Sequence, residues 1–472
     1  MSQRISVFDM LKIGVGPSSS HTLGPWKATL RFLDESLSEA PLRAVQRVRV
    51  ELFGSLAKTG RGHGTDIAVL MGLRGEDPVT CDTARLHTIR AQIREARQID
   101  LLGQHTIPFD PAADIIWHYD QALPYHPNGM RLTADLDHGT VSSTFYSVGG
   151  GFVVKEGEEQ PASTQVRLPY PCDRADEVAA FCRAHDMQLW QMVWANELAW
   201  RTPEQVRAGL REIWQTMLAC AYRGCHTPGV LPGGLEVRRR AAQMHRKLAG
   251  DTSDLDIPAW LAHLRSLRYE FKDIVTLVSS FALAVNEENA AFGRVVTAPT
   301  NGAAGVLPAV LLYYVVTHDA AEDDIDRFLM VAGEIGTLFK KGATISAAEG
   351  GCQAEIGVSS AMAAGALVEA LGGSVAQALM ASEIAMEHHL GLTCDPIGGL
   401  VQIPCIERNT MGAMKAITAA NIALASSPED ARVSLDTVIK ALWDTARDMN
   451  HKYKETAEGG LAVHIPVNVI EC

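Results

Sequence analysis

The sequence predicts a multi-domain protein in which an N-terminal α+β domain is followed by an all-α domain and an extended C-terminal tail. Strict alternation of apolar and polar residues in the first third indicates half-buried strands. A charged, proline-rich stretch at 156–173 is typical of a linker, and strand patterns end after it. The predicted boundaries are therefore 1–155, 156–173, 174–454 and 455–472.

In the first domain, the segment "RVRVELF" (Arg47–Phe53) alternates as a strand does, and "ARLHTIRAQIREARQ" (Ala84–Gln98) has the spacing of an amphipathic helix. Turn-forming glycines and prolines separate four further strand patterns: "DIIWHYD", "MRLTADL", "TVSSTFYSV" and "GFVVK". From Arg174 to about Tyr453, Ala-, Leu- and Met-rich helical segments alternate with short Gly/Pro loops. The tail has a Gly459–Gly460 pair and then an extended pattern.

Bulk composition narrows the class of protein. The net charge of −13 opposes binding to nucleic acid or to an anionic membrane surface. The N-terminal stretch lacks the pattern of a secretion signal. The most apolar runs, Gly305–Val316 and Ser359–Ala381, are broken by a proline or by a glutamate and small residues, which favours buried helices over membrane spans. A cytoplasmic protein is expected.

The chain has nine cysteines, an odd number that is too few for a disulfide scaffold. Five show no ligand pattern and are interpreted as buried apolar residues: Cys81, Cys172, Cys182, Cys220 and Cys225. Cys352, Cys394 and Cys405 each stand where a Gly/Pro loop meets a helix. Their spacing alone leaves three interpretations open, namely incidental cysteines, a zinc site and an iron–sulfur cluster.

Three thiolates on a [4Fe–4S] cluster leave one iron open, because such a cluster has four iron atoms to ligate. An open metal can act as a Lewis acid on a hydroxyl group. Such a site suits elimination of water, which also needs a general base to remove a proton from the adjacent carbon.

Three loops carry side chains that could hold an anion, although each could equally cap a helix. "KIGVGPSSSHTLGP" contains Ser18, Ser19, Ser20 and His21. "KTGRGHGTD" places His63 between glycines, ahead of Thr65 and Asp66, and "APTNGAAG" contributes Thr300 and Asn301. The segment "HPNGM", with His126 and Asn128, has the composition of a turn.

Together these stretches resemble the iron–sulfur-dependent bacterial L-serine dehydratases, also called L-serine ammonia-lyases, in their single-chain form. The resemblance runs over nearly the whole chain. It rests on these motifs: "SVFDMLKIGVGPSSSHTLGP", "GHGTD", "HPNGM", "YSVGGGF", "LPGGL", "TAPTNGAAGVLPAVL", "SAAEGGCQAEIGVSSAMAAGAL" and "CDPIGGLVQIPCIERN".

The resemblance implies a catalytic helical domain with a [4Fe–4S] cluster held by Cys352, Cys394 and Cys405, and one iron free for L-serine. It implies a homodimer that releases pyruvate and ammonia. It also implies a second, regulatory serine site in the first domain, at His126 and Asn128.

Our mechanistic hypothesis takes His63 as the base, with His21 as the other candidate, because an imidazole titrates near neutral pH. The serine, threonine and asparagine side chains of the loops, with Asp66, would hold the substrate: Ser18, Ser19, Ser20, Thr65, Thr300 and Asn301. Since these loops belong to both domains, the site is expected between the domains.

Three rival interpretations were weighed. A pyridoxal-phosphate dehydratase would need a Schiff-base lysine, and no lysine has the Ser-x-Lys-x-Arg setting of such enzymes, so no pyridoxal phosphate is expected. An aconitase-like hydro-lyase would release no ammonia. A redox or iron sensor would not turn over serine, and the acidic charge gives no sign of DNA binding.

Cys472 is the last residue of the sequence. The resemblance implies that this thiolate is a fourth ligand, occupying the open iron until substrate displaces it. Gly459 and Gly460 would let the tail turn inward toward the cluster.

Overall fold

The computed structural model describes residues 3–38, 42–158 and 166–465 of the chain. Two separate hydrophobic cores divide these residues into two bodies. The smaller core runs from Val15 to Phe145 and takes in Phe292, whereas the larger core is formed by residues from Cys172 onward together with four near the N-terminus. The predicted order, a mixed domain before a helical one, is confirmed.

A five-stranded sheet in the order β5-β2-β6-β7-β8 forms the first domain, with β2 and β5 parallel and the other pairs antiparallel. Val48, Val50 and Leu52 are buried and their neighbours are more exposed, as the alternation predicted. The strands of the described residues are β1 (Ile13–Val15), β2 (Val45–Phe53), β3 (Gln98–Leu101), β4 (His105–Pro108), β5 (Ile115–His118), β6 (Gly129–Leu136), β7 (Gly139–Ser147), β8 (Val153–Lys155) and β9 (Arg294–Val296).

Helices make up most of the second domain and cover the sheet of the first. Helix α1 (Val7–Met10) packs on the core of the second domain, and the helices of the first domain are α2 (Gly24–Arg31), α3 (Ser55–Lys58), α4 (Thr65–Leu73), α5 (Leu86–Ala96) and α6 (Pro111–Asp114). In the second they are α7 (Ala175–Ala184), α8 (Leu189–Glu197), α9 (Pro203–His226), α10 (Ala241–Ala249), α11 (Ile257–Ser266), α12 (Phe271–Ala290), α13 (Val306–Thr317), α14 (Glu322–Gly342), α15 (Ala347–Gly350), α16 (Ile356–Ala370), α17 (Val375–Glu387), α18 (Cys405–Ala425), α19 (Leu435–Asp448) and α20 (Leu461–His464).

The packing of α2 on α4 brings two of the polar loops together. Gly72 of α4 lets the helices approach closely, since a Cβ there would lie 2.9 Å from the Trp26 carbonyl oxygen and 2.7 Å from the Thr29 side chain. The loop with His21 runs directly into α2, and the loop with His63 runs directly into α4. The helix crossing therefore fixes both histidines relative to each other.

Helix α16 lies at the centre of the second domain, and its residues from Ile356 to Glu369 are all buried. Its small residues permit this, because a Cβ on Gly365 would lie 2.3 Å from the Ile335 side chain and 2.4 Å from Ser382 Oγ. It packs against α13, α14, α17 and α18. Within the residues described, no helix combines the length and the apolar character needed to cross a bilayer.

One strand in the second half differs from the all-helical expectation. Strand β9 pairs antiparallel with β1, placing Ile13 opposite Val296. Three residues are too few to show a period in the sequence, and the pairing is between segments far apart in the chain. The ribbon joins the two domains beside the loops of Ser18 and Thr300.

The tail also differs from its predicted extended form. Leu461–His464 form one helical turn, and the Leu461 N–H donates to Asp395 Oδ2 at 2.7 Å. A contact with a loop of the helical domain thus sets its conformation, which local pattern does not reveal. Residues 466–472, including Cys472, lie outside the described residues.

Candidate active site

The serine loop folds into a short π-helical turn, Ser19–Leu23, ahead of α2. Ser18 caps it by accepting the His21 N–H at 3.1 Å, so the capping role that the sequence allowed is present. Ser18, Ser19 and Ser20 are all buried, and Ser20 Oγ lies 3.2 Å from Ser18 Oγ. The loop therefore holds the His21 ring in a fixed, buried position.

The hydrogen bonds of His21 define a neutral ring. Its Nε2 lies 3.1 Å from Ser55 Oγ and 3.1 Å from Thr59 Oγ1. Ser55 donates to the Glu455 carbonyl oxygen, and Thr59 donates to the Ser55 carbonyl oxygen. Nε2 must therefore carry the hydrogen, and Nδ1 accepts from Ser20 Oγ at 2.8 Å. Burial lowers the pKa of His21 to about 4, in agreement with a neutral ring.

His63 leaves one ring nitrogen available for proton exchange. Its Nδ1 lies 2.8 Å from the Thr59 carbonyl oxygen, which can only accept, so Nδ1 carries a hydrogen. Its Nε2 faces Glu455, 3.5 Å from Oε1. The rings of His63 and His21 lie 4.6 Å apart between centroids.

Two side chains that were predicted to bind substrate make contacts within the protein. Thr65 Oγ1 donates to the His21 carbonyl oxygen at 2.6 Å, which ties the two histidine loops together. Asp66 pairs with Arg90 at 2.8 Å and lines a cavity of about 140 Å³ between the domains. Gly62 borders the same cavity and abuts the second domain, since a Cβ there would lie 2.5 Å from the Gly399 carbonyl oxygen.

Glu455 is a functional candidate that sequence reasoning missed. Its carboxylate is buried, and Oε1 lies 3.5 Å from both His21 Nδ1 and His63 Nε2. Burial opposes ionisation, whereas protonation of a neighbouring histidine, His21 or His63, lowers the pKa of Glu455 below its usual value. The only sequence signal is an acidic residue in a loop after the last long helix, and such residues are common on surfaces.

Two of the three predicted ligand cysteines lie side by side. The Sγ atoms of Cys352 and Cys394 and a carboxylate oxygen of Glu355 lie within 4.8 Å of one another. Arg408 Nη1 donates to Cys352 Sγ at 3.3 Å, and Arg408 Nη2 donates to Asp395 Oδ1 at 2.8 Å. A hydrogen bond from Cys394 and the charge of Arg408 lower the pKa of Cys352 to about 7 against the effect of burial.

Cys405 stands at the first position of α18, and its thiol is buried. Burial, followed by the charge of Cys352, raises its pKa, so its sulfur lies within electrostatic reach of that cysteine. The convergence of α16, α17 and α18 brings the three predicted ligands into one buried region. The other five cysteines are buried too, and burial raises the pKa of each: Cys81, Cys172, Cys182, Cys220 and Cys225.

The third loop joins the histidine and cysteine regions. Asn301 Nδ2 donates to the Val15 carbonyl oxygen at 3.0 Å, which fixes the loop against the first domain. Gly302 faces the cysteine group, since a Cβ there would lie 2.9 Å from Glu355 Oε2. Among the described residues, Asn301 Oδ1 is buried without a hydrogen-bond partner and is available to a ligand, whereas the Thr300 hydroxyl faces the Glu355 carboxyl group.

The turn with His126 and Asn128 faces the same region. His126 Nδ1 accepts the Asn128 N–H at 3.0 Å, and His126 Nε2 lies 3.6 Å from Glu349 Oε2. His126 acts electrostatically on both His21 and Glu455. Asn128 Oδ1 is buried and has no hydrogen-bond partner within the described part of the chain.

Comparison with known proteins decides the family. Residues 6–158 match the family model "Serine dehydratase beta chain", and residues 184–462 match "Serine dehydratase alpha chain". The chain belongs to the serine dehydratase family. Within it, the chain is 50% identical over 474 residues to "L-serine dehydratase" of Streptomyces coelicolor, covering 99% of this chain and 100% of that protein.

Two further members of the serine dehydratase family are similar to this chain over nearly its full length. "L-serine dehydratase 1" of Escherichia coli is 46% identical over 467 residues, covering 98% of this chain and 99% of that protein. "L-serine dehydratase" of Helicobacter pylori is 44% identical over 469 residues, covering 97% and 98%. The similarity therefore spans both domains and is not confined to one of them.

The donor set of this serine dehydratase family member could hold a metal centre. Cys352, Cys394 and Cys405 are soft sulfur donors in one buried region, and an arginine already donates to one of them. A buried guanidinium offsets the negative charge that thiolates and cluster sulfides bring. Residues from both domains line this region, and some of their polar groups are available to a substrate.

Because His21 is neutral in the folded chain, we predict that the difference in free energy of unfolding between the wild type and a His21 variant depends on pH. Because its pKa is about 4 in the folded chain and about 6.5 when unfolded, the unfolded chain binds more protons between these values. His21 therefore stabilises the fold less as the pH falls below 6.5. Replacing His21 with Asn removes this effect, so the stability deficit of the variant should shrink by about 1 kcal/mol between pH 7 and pH 5.5.

Urea unfolding of cluster-free chains measures this difference. Three buried carboxyl groups change the stability in the opposite direction, because burial raises their pKa to about 7: Glu334, Glu369 and Glu383. Both chains contain these groups, so their contribution cancels in the difference between the two chains. His138→Asn, at an exposed turn, is the matched control and should give a difference independent of pH. A deficit of H21N that is constant or grows toward pH 5.5 contradicts a neutral His21.

Proposed function

We propose that this chain is an L-serine dehydratase, which eliminates water from L-serine and releases pyruvate and ammonia. The observation that carries the proposal is the meeting of His63 and Glu455 beside buried cysteines at the domain junction. The Glu455 carboxylate is close enough to act electrostatically on Cys352, Cys394 and Cys405. Full-length similarity to proteins named L-serine dehydratase supports the choice of substrate.

The reaction needs a base at the α-carbon and a route for the β-hydroxyl group. His63 Nε2 accepts the α-proton, the C–H electron pair becomes the Cα=Cβ bond, and the hydroxyl leaves as water after gaining a proton. The aminoacrylate tautomerises to an imine, and addition of one water gives pyruvate and ammonia. His21 is the weaker candidate, because its Nδ1 already accepts from Ser20 and its Nε2 carries a hydrogen.

Substrate binding falls to the polar loops. Asn301 Oδ1 is buried and unpartnered among the described residues, so it can bond to substrate without losing an existing partner, and Thr300 beside Glu355 offers a second polar group. The hydroxyls of Ser18 and Ser19 hold the carboxylate group together with backbone N–H donors, whereas the Ser20 hydroxyl donates to His21 Nδ1 and holds that ring. Both histidines lie between these loops, which excludes bulk water from the α-carbon.

Cys352, Cys394 and Cys405 hold a [4Fe–4S] cluster in this proposal. When bound, a cluster with three protein ligands supplies a Lewis-acidic iron for the departing hydroxyl oxygen. Arg408 donates to Cys352 and pairs with Asp395, which orients that thiolate. We further propose a homodimer in the cytoplasm, where a reducing environment keeps the thiols free.

Anaerobic purification tests the activity directly. We expect iron and inorganic sulfide in the protein and pyruvate with ammonia from L-serine. His63→Ala should keep the cluster and lower kcat by about 10²- to 10⁴-fold, the usual contribution of a general base. His451→Ala is the control, because His451 is exposed on the segment that carries Glu455.

Three results would count against the proposal. Near-normal turnover in H63A with the cluster intact removes His63 as the base. Water loss without ammonia points to an aconitase-like reaction, and a cluster-loaded protein that leaves serine unchanged points to a sensor.

Cys472, which lies outside the described residues, provides a separate test of the tail. In our proposal its thiolate competes with serine for the open iron and shields the cluster from oxygen. Cys472→Ser should therefore raise the apparent affinity for serine and speed the loss of cluster absorbance in air. If both quantities match the wild type, the tail is not a ligand.

The regulatory serine site is proposed at His126 and Asn128. Its position beside Glu349 would couple it to the catalytic region, because Glu349 precedes Cys352 by three residues. His126→Ala should change the shape of the serine saturation curve and leave kcat at saturating serine within about threefold of wild type. A loss of kcat as large as that of H63A would instead assign His126 to catalysis.

A further inference from the structure

We propose that Glu455 is a positioning residue for proton abstraction, acting through His63. Its carboxylate stabilises the positive charge that the His63 ring gains from the substrate proton, while the Thr59 carbonyl oxygen holds the ring in place. This inference rests on the proposed function, because it concerns the same elimination.

The first support is the geometry of the carboxylate. Oε1 lies 3.5 Å from His63 Nε2 and 3.5 Å from His21 Nδ1, and all three side chains are buried. Glu455 Oε2 is buried and has no hydrogen-bond partner among the residues that the structure describes. A carboxylate with a purely structural role would be expected to have both oxygens bonded.

The second support is how the backbone of Glu455 is held. Its N–H donates to the Cys394 carbonyl oxygen at 3.0 Å, and its carbonyl oxygen accepts from Ser55 Oγ at 2.8 Å. The Cys394 N–H donates to the Tyr453 carbonyl oxygen at 2.8 Å. Both domains therefore fix the residue, which bridges the histidine loops and the cysteine loop.

The backbone at Glu455 is also strained, since its φ is +58°. A non-glycine residue in the left-handed region costs free energy and persists where surrounding contacts enforce it. Because a glycine or asparagine would fit this conformation better, the presence of glutamate indicates a requirement for its side chain.

The chemistry gives the carboxylate its role. When His63 Nε2 takes the α-proton, the ring becomes a cation, because Nδ1 already carries a hydrogen bonded to the Thr59 carbonyl oxygen. A buried carboxylate 3.5 Å away favours that cation more strongly than water would. The acid thus lowers the barrier electrostatically and without contacting the substrate; unlike the acid of a Ser-His-Asp triad, it lies beside the nitrogen that takes the proton.

Glu455→Gln tests this inference, because it keeps the shape of the side chain and removes its charge. Glu458→Gln is the matched control, since Glu458 lies three residues on, is exposed, and pairs across the same junction with Lys58 at 2.7 Å. We measure kcat per cluster, KM, iron per chain and the isotope effect on kcat with α-deuterated L-serine.

For E455Q we expect kcat per cluster to fall by about 10²-fold. KM should stay within about threefold of wild type, and the isotope effect should be at least as large as in the wild type. E458Q should match the wild type in all four quantities. Normalising to cluster keeps the measurement valid where part of the E455Q protein is misfolded.

Two results would overturn the inference. One is a kcat per cluster in E455Q within about threefold of wild type, including the case in which only iron per chain falls, because that marks a structural role. The other is an isotope effect that collapses toward one, because the slow step then lies outside proton abstraction. Wild-type protein that yields no pyruvate from serine would instead contradict the proposed function.

Discussion

Burying a carboxylate away from water is costly unless other groups compensate it, and Glu455 imposes this constraint on the whole molecule. Its side chain is 5% exposed and lies between His21 and His63 of the first domain. Its backbone bonds to Ser55 of the first domain and to Cys394 of the second. The compensation therefore requires both domains in one arrangement, and that arrangement also brings the histidines to the cysteines.

Local pattern predicted much of this arrangement. Alternation located β2, and glycines and prolines marked the junctions where Cys352, Cys394 and Cys405 stand. Glu455 was not predicted because its role depends on contacts with residues hundreds of positions earlier in the chain. No local period in the sequence reveals such contacts. Strand β9 was missed for the same reason, since it exists through pairing with β1.

Hydrogen bonds and helix packing give information about the site that the sequence pattern does not contain. The nitrogen of His21 that carries the hydrogen can be assigned only when the other hydrogen bonds of Ser55 and Thr59 are known. Both hydroxyls donate elsewhere, so each must accept from His21. Similarly, three buried thiols become a ligand set only when helix packing brings them together. The resemblance to serine dehydratases named the cysteines and the mechanistic hypothesis named His63, whereas the contacts gave His63 a partner.

The bond between Ser55 and Glu455 joins residues 400 positions apart. During synthesis, domains fold largely as units from the N-terminal side, so the histidine loops can form long before residue 455 leaves the ribosome. Until then His63 lacks the acid that stabilises its charged form, and the cysteine loop lacks its contact with the first domain. A nascent chain, or a chain truncated before Glu455, would thus lack catalytic activity. Activity would appear only after translation had passed this residue.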